Sequence, residues 1–123
     1  MMNITREQIL EMTPDELREE IARRHGWERL PFPAYPHWQR PTKNGVETTL
    51  DIPDYPNDIA AAWSLLEEMA KSNAILKLTI YRGKQFIVDI QDRHYVTLTW
   101  MEGETAPLAI CRAWLMWKEG GEK

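Results

Sequence analysis

The chain has 123 residues and a net charge of −4, and 43% of its residues are hydrophobic while 28% are charged. This balance is typical of a folded globular protein and excludes a disordered one, and the length fits a single domain with its own core. The acidic charge argues against a protein that grips nucleic-acid phosphates, because such proteins normally carry a basic excess. No apolar run reaches the roughly 20 residues of a membrane span, so we expect no membrane association and a cytoplasmic protein.

Two helix-start signals lie near the beginning of the chain. Thr5 with Gln8, and Thr13 with Glu16, have the spacing of a capping box, in which each side chain bonds to the other residue's main chain. Gly26 is suited to end the second helix, because glycine accepts the left-handed conformation at such a position. The predicted helices span residues 6–11 and 14–25.

A proline- and aromatic-rich segment follows at about residues 28–56, and it holds six of the eight prolines. Prolines at this density exclude a helix and disrupt strand pairing. We therefore predict an ordered surface loop with one short strand at Val46–Leu50. Loops of this length are uncommon in compact domains and often carry function.

The second half of the chain predicts a helix, three strands and a closing helix. Asn57 or Asp58 caps the first of these helices, and its apolar stripe is expected to face the core. That stripe consists of Ile59, Ala62, Trp63, Leu66, Met69 and Ala70.

The three strands alternate polar and apolar residues and are separated by short turns, which predicts an antiparallel meander. They are expected at 75–81, 85–91 and 94–100. Ile87 and Tyr95 lie out of phase with their neighbours, so both sheet faces are expected to be partly covered. The closing helix begins after Thr105 and ends at Gly120.

Little in the chain indicates catalysis. Cys111 lies in the middle of the closing helix among apolar residues, which favours a structural role over a reactive thiol. His25, His37 and His94 occupy separate elements, and none has metal-ligand spacing with another candidate ligand. Asp89 could face His94 across a hairpin as a base, but an exposed aspartate on a strand is the commoner arrangement. We expect no enzyme, no catalytic residues, no metal and no cofactor.

Two stretches of sequence carry a family resemblance. "YPNDIAAAWSLLEEM" and "ETAPLAICRAWL", together with the opening "TREQILEM" and the "GW" after the first long helix, are similar to the phage ABA sandwich domain family. Members are small proteins encoded by bacteriophages and prophages. The similarity covers nearly the whole chain, residues 1–123, as one domain.

The resemblance implies an α+β fold in which an antiparallel meander of three or four strands lies between helical layers, an α/β/α sandwich. It also implies an accessory phage or prophage protein acting in the cytoplasm of the bacterial host, where counter-defence is a plausible role. It supplies no catalytic residues.

The first functional hypothesis is a binding protein that sequesters a small nucleotide-type host signal. Aromatic rings can stack on a base, and cationic side chains can hold phosphates. The proline-rich loop offers both. The candidate ligand-binding residues are Tyr35, Trp38, Arg40 and Lys43.

Two other functions remain open. A protein–protein adaptor or inhibitor of a host protein would use the same loop, or an exposed tryptophan, as its hot spot. An enzyme would need Asp89 and His94 to cluster in space. We also expect a homo-oligomer, because six tryptophans are many to hide in one small core, and exposed apolar patches usually indicate association.

Overall fold

The computed structural model describes residues 4–31, 37–72, 74–81 and 85–121. Within these ranges the chain forms four α-helices and two three-stranded antiparallel sheets. The helices are α1 (Arg6–Glu11), α2 (Pro14–Arg24), α3 (Ile59–Lys71) and α4 (Ala106–Met116), and a π-helical turn, Trp117–Gly121, continues from α4. The strands are β1 (Glu28–Arg29), β2 (Trp38–Thr42), β3 (Gly45–Thr49), β4 (Ile75–Tyr81), β5 (Gln85–Gln91) and β6 (Thr97–Gly103). The α+β class is confirmed, and the arrangement is consistent with an α/β/α sandwich.

The two predicted capping boxes are both present. The Thr5 hydroxyl accepts from the Gln8 amide, and the Thr13 hydroxyl accepts from the Glu16 amide, while each later side chain accepts from the threonine amide. Gly26 has φ of +93°, so it adopts the left-handed conformation expected after α2. Local sequence therefore determines where the first two helices begin and where the second ends.

The larger sheet is the expected meander, with strand order β4-β5-β6. β4 and β5 have the predicted bounds, but the third strand begins at Thr97 rather than at residue 94. The Asp92 carboxylate causes this shift, because its Oδ1 accepts from the amides of His94, at 2.8 Å, and Val96, at 3.0 Å. The Val96 amide, with that of His94, also holds the pKa of Asp92 below its usual value. Residues up to Val96 are thus held in the turn.

The smaller sheet corrects the prediction of a long loop at 28–56. Its order is β1-β2-β3, and only β3 lies near the strand predicted at Val46–Leu50. Prolines did not prevent the pairing of β2. Pro41 pairs with Val46 of β3. The pairing of β1 with β2 involves only Trp38 and Gln39 of β2, so the N–H that Pro41 lacks removes no hydrogen bond to β1.

α4 is the centre of the main core. It packs against β5 and β6 on one side and against α1, α2 and α3 on its other sides. Val88, Ile90 and Met101 form the sheet's contribution to this core, and all three are fully buried. Six consecutive or near-consecutive residues of α4 are fully buried as well: Ala109, Ile110, Cys111, Ala113, Trp114 and Leu115.

The predicted buried stripe of α3 is partly wrong. Trp63 is 53% exposed and Ile59 is 50% exposed, whereas Leu65 is buried instead. α3 packs mainly on α4 and against the edge strand β4, and Trp63 lines a groove between α3 and the larger sheet that is open to solvent. A tryptophan expected in the core therefore lies at the surface.

No described helix combines the length and the apolar character that crossing a membrane requires.

Gly103 ends β6 where the sheet meets α4. A Cβ atom at this position would lie 2.6 Å from the Ala109 nitrogen and 3.0 Å from its Cα. Both are main-chain atoms, which cannot move aside as a flexible side chain can. We predict that Gly103→Ala lowers the free energy of unfolding by about 1–3 kcal/mol, the range for overpacked sites. Urea denaturation measures this loss, and Glu104→Ala, at the exposed neighbouring position, is the control. Equal stability of the two variants would contradict the close packing of β6 on α4.

Candidate functional site

The loop nominees do not form one open site. Tyr35 falls outside the described residues. Trp38, at the start of β2, is only 5% exposed, because it packs with Ala22, Trp27 and Ile52 in a small second core. The Arg29 guanidinium lies 5.6 Å from the Trp38 ring. The ring therefore serves packing, and a stacked base would have to displace its neighbours.

Arg40 is also engaged within the fold. Its guanidinium bonds to Glu47 across the β2–β3 hairpin, with Nη2 2.8 Å from Oε1, and lies 4.5 Å from the Trp27 ring. A phosphate would have to compete with the Glu47 carboxylate for this cation. Lys43 is exposed in the turn of the same hairpin. The structure thus brings Trp38, Arg40 and Lys43 to one hairpin, where Trp38 is buried, Arg40 is partly exposed but paired with Glu47, and Lys43 is exposed.

A cavity of about 260 Å³ lies between α2 and the smaller sheet, and we call it the loop pocket. Trp38 is the nominee that lines it among those the structure describes, and Arg18, Arg29 and His37 also line it. Arg18 is held by Asp51, at 3.0 Å, and by the main-chain oxygens of residues 52 and 53. Arg29 is 3.6 Å from Glu19, and its side chain is 63% exposed. Arg29 is therefore the more available cation of this pocket.

A cluster that the sequence did not predict lies where the end of α2, the segment before α3, α3 and α4 meet. We call it the helix-junction cluster, and its residues are His25, Tyr55, Glu68 and Trp114. The His25 ring stacks on Trp114, at 4.8 Å between centroids, and on Tyr55, at 5.9 Å. Its Nε2 lies 2.6 Å from Glu68 Oε1, and its Nδ1 lies 2.9 Å from the Ile21 oxygen. Both ring nitrogens face acceptors, and the ring links the end of α2 to α3 through Glu68 and to α4 by stacking on Trp114.

Glu68 holds the other side of the cluster. Its Oε2 accepts from the Trp114 indole at 3.1 Å and lies 3.7 Å from the Lys118 ammonium. One carboxylate therefore connects α2, α4 and the π-helical turn. The separation of these residues along the sequence explains why no linear pattern indicated the cluster.

The predicted catalytic candidates do not come together. Asp89 bonds to Gln91 and Thr97, and in the described part of the chain no hydrogen bond joins it to His94. Cys111 is fully buried, and burial raises the pKa of its thiol, so it stays protonated near neutral pH. Nowhere among the described residues do three histidine, cysteine, aspartate or glutamate side chains group so as to hold a metal ion.

The surface carries an exposed apolar patch at the β5–β6 turn, and we call it the hairpin patch: Tyr95, Val96, Leu98 and Trp100. These residues are 73%, 57%, 45% and 43% exposed, in that order. The Arg6 guanidinium lies 4.0 Å from the Trp100 ring and also donates to the Trp100 oxygen. The one feature of the sequence that pointed to this patch was Tyr95, which did not fit the alternation of polar and apolar residues along the strand.

A second apolar surface lies on the opposite edge of the same sheet. A groove of about 270 Å³ separates α3 from β4, and we call it the edge groove. Trp63, Leu66, Leu76, Leu78 and Val88 supply its apolar lining.

The model of the phage ABA sandwich domain family matches residues 7–115 of the chain. The chain belongs to this family. The matched span contains all six strands, the helix-junction cluster and both exposed apolar surfaces of the ABA sandwich. No curated protein and no solved structure gives a significant match.

The helix-junction cluster gives a stability prediction for the ABA sandwich. Glu68→Ala removes the acceptor of both His25 and the buried Trp114 indole, so we expect a loss of about 1–3 kcal/mol in the free energy of unfolding. Denaturant titration followed by tryptophan fluorescence measures it. Glu67→Ala is the control, because Glu67 is the exposed neighbour on the same helix. If Glu67→Ala costs as much as Glu68→Ala, the cluster does not join the helices as described.

Proposed function

We propose that this ABA sandwich is a non-enzymatic phage protein that binds a host protein through the hairpin patch. The observation that carries the proposal is the exposure of four large apolar side chains in one short stretch, residues 95–100. Contiguous exposed apolar surface is typical of interaction sites. Tryptophan and tyrosine are also the side chains that most often dominate the binding energy of an interface.

The contacts of Trp100 support this role. Arg6 lies against its ring and bonds to its main-chain oxygen, so the ring is held in place while 43% of the residue stays exposed. A side chain that is already ordered loses less conformational entropy when a partner binds. Trp100 is thus suited to be an anchor of the interface.

Charge indicates the class of partner. The chain has a net charge of −4. Asp92, Glu102 and Glu104 lie near the hairpin patch in sequence, as does Arg93, and Arg6 lies on the Trp100 ring. An acidic surface accelerates association with a basic one and disfavours acidic partners. A basic host protein that handles nucleic acid fits both the charge and the phage setting.

A paired set of double variants tests the proposal. Val96→Lys with Leu98→Lys places charge in the hairpin patch, and we expect at least a tenfold loss of affinity for the captured host protein. Val46→Lys with Leu50→Lys is the matched control, because these residues, on β3 and directly after it, are 62% and 49% exposed and lie outside the larger sheet. The wild-type protein is first used to isolate a stoichiometric host partner, and the affinities are then measured by calorimetry. Unchanged affinity of the hairpin variant, or an equal loss in the control, would overturn the assignment of this surface.

A second candidate function, sequestration of a small nucleotide-type signal, is favoured by the loop pocket. Its size of about 260 Å³ approaches the lower range of ligand pockets, and Arg29 offers a largely exposed guanidinium at its wall. Of the four loop residues nominated from the sequence, Tyr35, Trp38, Arg40 and Lys43, Trp38 lines this pocket, Arg40 and Lys43 are not among its lining residues, and Tyr35 lies outside the described residues.

Titration with nucleoside monophosphates, nucleoside diphosphates and cyclic nucleotides tests this candidate. We expect Arg29→Ala to weaken binding about tenfold, because a charge-assisted hydrogen bond is lost. Arg23→Ala is the control, since the Arg23 side chain is also mostly exposed, at 56%, but does not line the pocket. Binding that is absent, or equally weakened by both variants, would reject the loop pocket as the site.

A further inference from the structure

The two edges of the larger sheet differ in how their main chains are protected. On β6, Arg6 donates to the Trp100 oxygen and Arg112 donates to the Glu102 oxygen at 2.8 Å. These guanidiniums occupy the outward carbonyls that another strand would need. On β4, no hydrogen bond in the described part of the chain reaches the main chain of Ile75–Ile80 from anything but β5. Open strand edges are sites of strand pairing, and proteins usually block those that should stay unpaired.

The unblocked edge is also apolar. Leu76, Leu78 and Ile80 lie on the helix-facing side of the sheet. They pair with Ile90, Val88 and Phe86, whose side chains belong to or pack against the main core, and paired residues share one face of a sheet. Leu78 is nevertheless 42% exposed and Ile80 is 60% exposed. The helices do not reach far enough to cover the end of this row, and the edge groove lies beside it.

We propose that β4 pairs with β4 of a second copy of this chain, antiparallel about a two-fold axis at Leu78. The argument for a second copy is that β4 is complementary to itself in this register. Leu78 then faces its own equivalent, and Leu76 faces Ile80. Lys77 faces Thr79, so the only charged residue of the strand meets no like charge.

The pairing produces a continuous six-stranded sheet with the order β6-β5-β4-β4-β5-β6. A two-fold axis perpendicular to the sheet places both α3 helices on the same face. The two rows of Leu76, Leu78 and Ile80 become one apolar row beneath them, and Trp63 of each copy lies beside it. The same patch meets itself, as every interface on a two-fold axis requires.

This dimer leaves the proposed host-binding surface free. Trp100 belongs to β6, which β5 separates from β4. The dimer and the host-protein function can therefore be tested independently, and one can fail without the other.

Cysteine substitution at the two-fold axis tests the register. In the Leu78→Cys variant the two new thiols face each other across the axis, at a separation that a disulfide spans. Thr79→Cys is the matched control, because Thr79 faces Lys77 of the second copy and its own equivalent lies too far away. We expect mild oxidation to give a covalent dimer of Leu78→Cys and little of Thr79→Cys. Equal cross-linking of the two variants would overturn the register.

Light scattering during size exclusion tests the assembly itself. The wild-type protein is expected to have twice the mass of one chain. The Ile80→Lys variant is expected to have the mass of one chain, because it places two charges in the shared apolar row. Val96→Lys, at a similarly exposed position of the hairpin patch, should leave the dimer unchanged. A wild-type monomer at every concentration tested, or a dimer that Ile80→Lys does not weaken, would reject the proposal.

Discussion

The fold depends on the burial of α4. This helix is apolar on almost every side, so it is stable only when the sheet covers one side and the other helices cover the rest. Residues around α4 allow it to be buried in close contact with the sheet and the other helices. Gly103 lets the end of β6 lie against the α4 main chain, and Glu68 satisfies the indole of Trp114 within the packed region. A free cysteine suits such a helix because it behaves as a small apolar side chain.

Aromatic and cationic residues of the segment at 28–56 are used mainly to build structure. Trp27 and Trp38 form a second core beneath the smaller sheet, and Arg40 lies against the first of these rings while it bonds to Glu47. Trp38 and Arg40, two of the four side chains nominated for a ligand, therefore help to hold this segment in place. Most of the exposed large apolar side chains lie instead on the larger sheet, on its β5–β6 turn and on α3, in regions whose sequences are typical of ordinary core elements.

Features determined by neighbours in sequence were predictable, and features determined by distant residues were not. Thr13 and Glu16 specify a helix start within four residues, and the alternation of β4 and β5 gave their bounds. The exposure of Trp63 depends on how α3 packs against the sheet and α4, which the helical period of the sequence does not determine. The pairing of His25 with Glu68 joins residues 43 positions apart, so it required the tertiary fold. The start of β6 was missed because one aspartate side chain extends the turn.

The guanidiniums on β6 also limit how this protein can polymerise. A sheet that is open at both edges can add strands without end, which is the geometry of amyloid fibrils. With Arg6 and Arg112 occupying the outward carbonyls of β6, growth from that edge is closed. In the proposed dimer, joining the two β4 edges consumes both of them, and the outer edges of the combined sheet are the two β6 strands. Two arginines from distant parts of the chain thus limit growth of the larger sheet beyond the dimer.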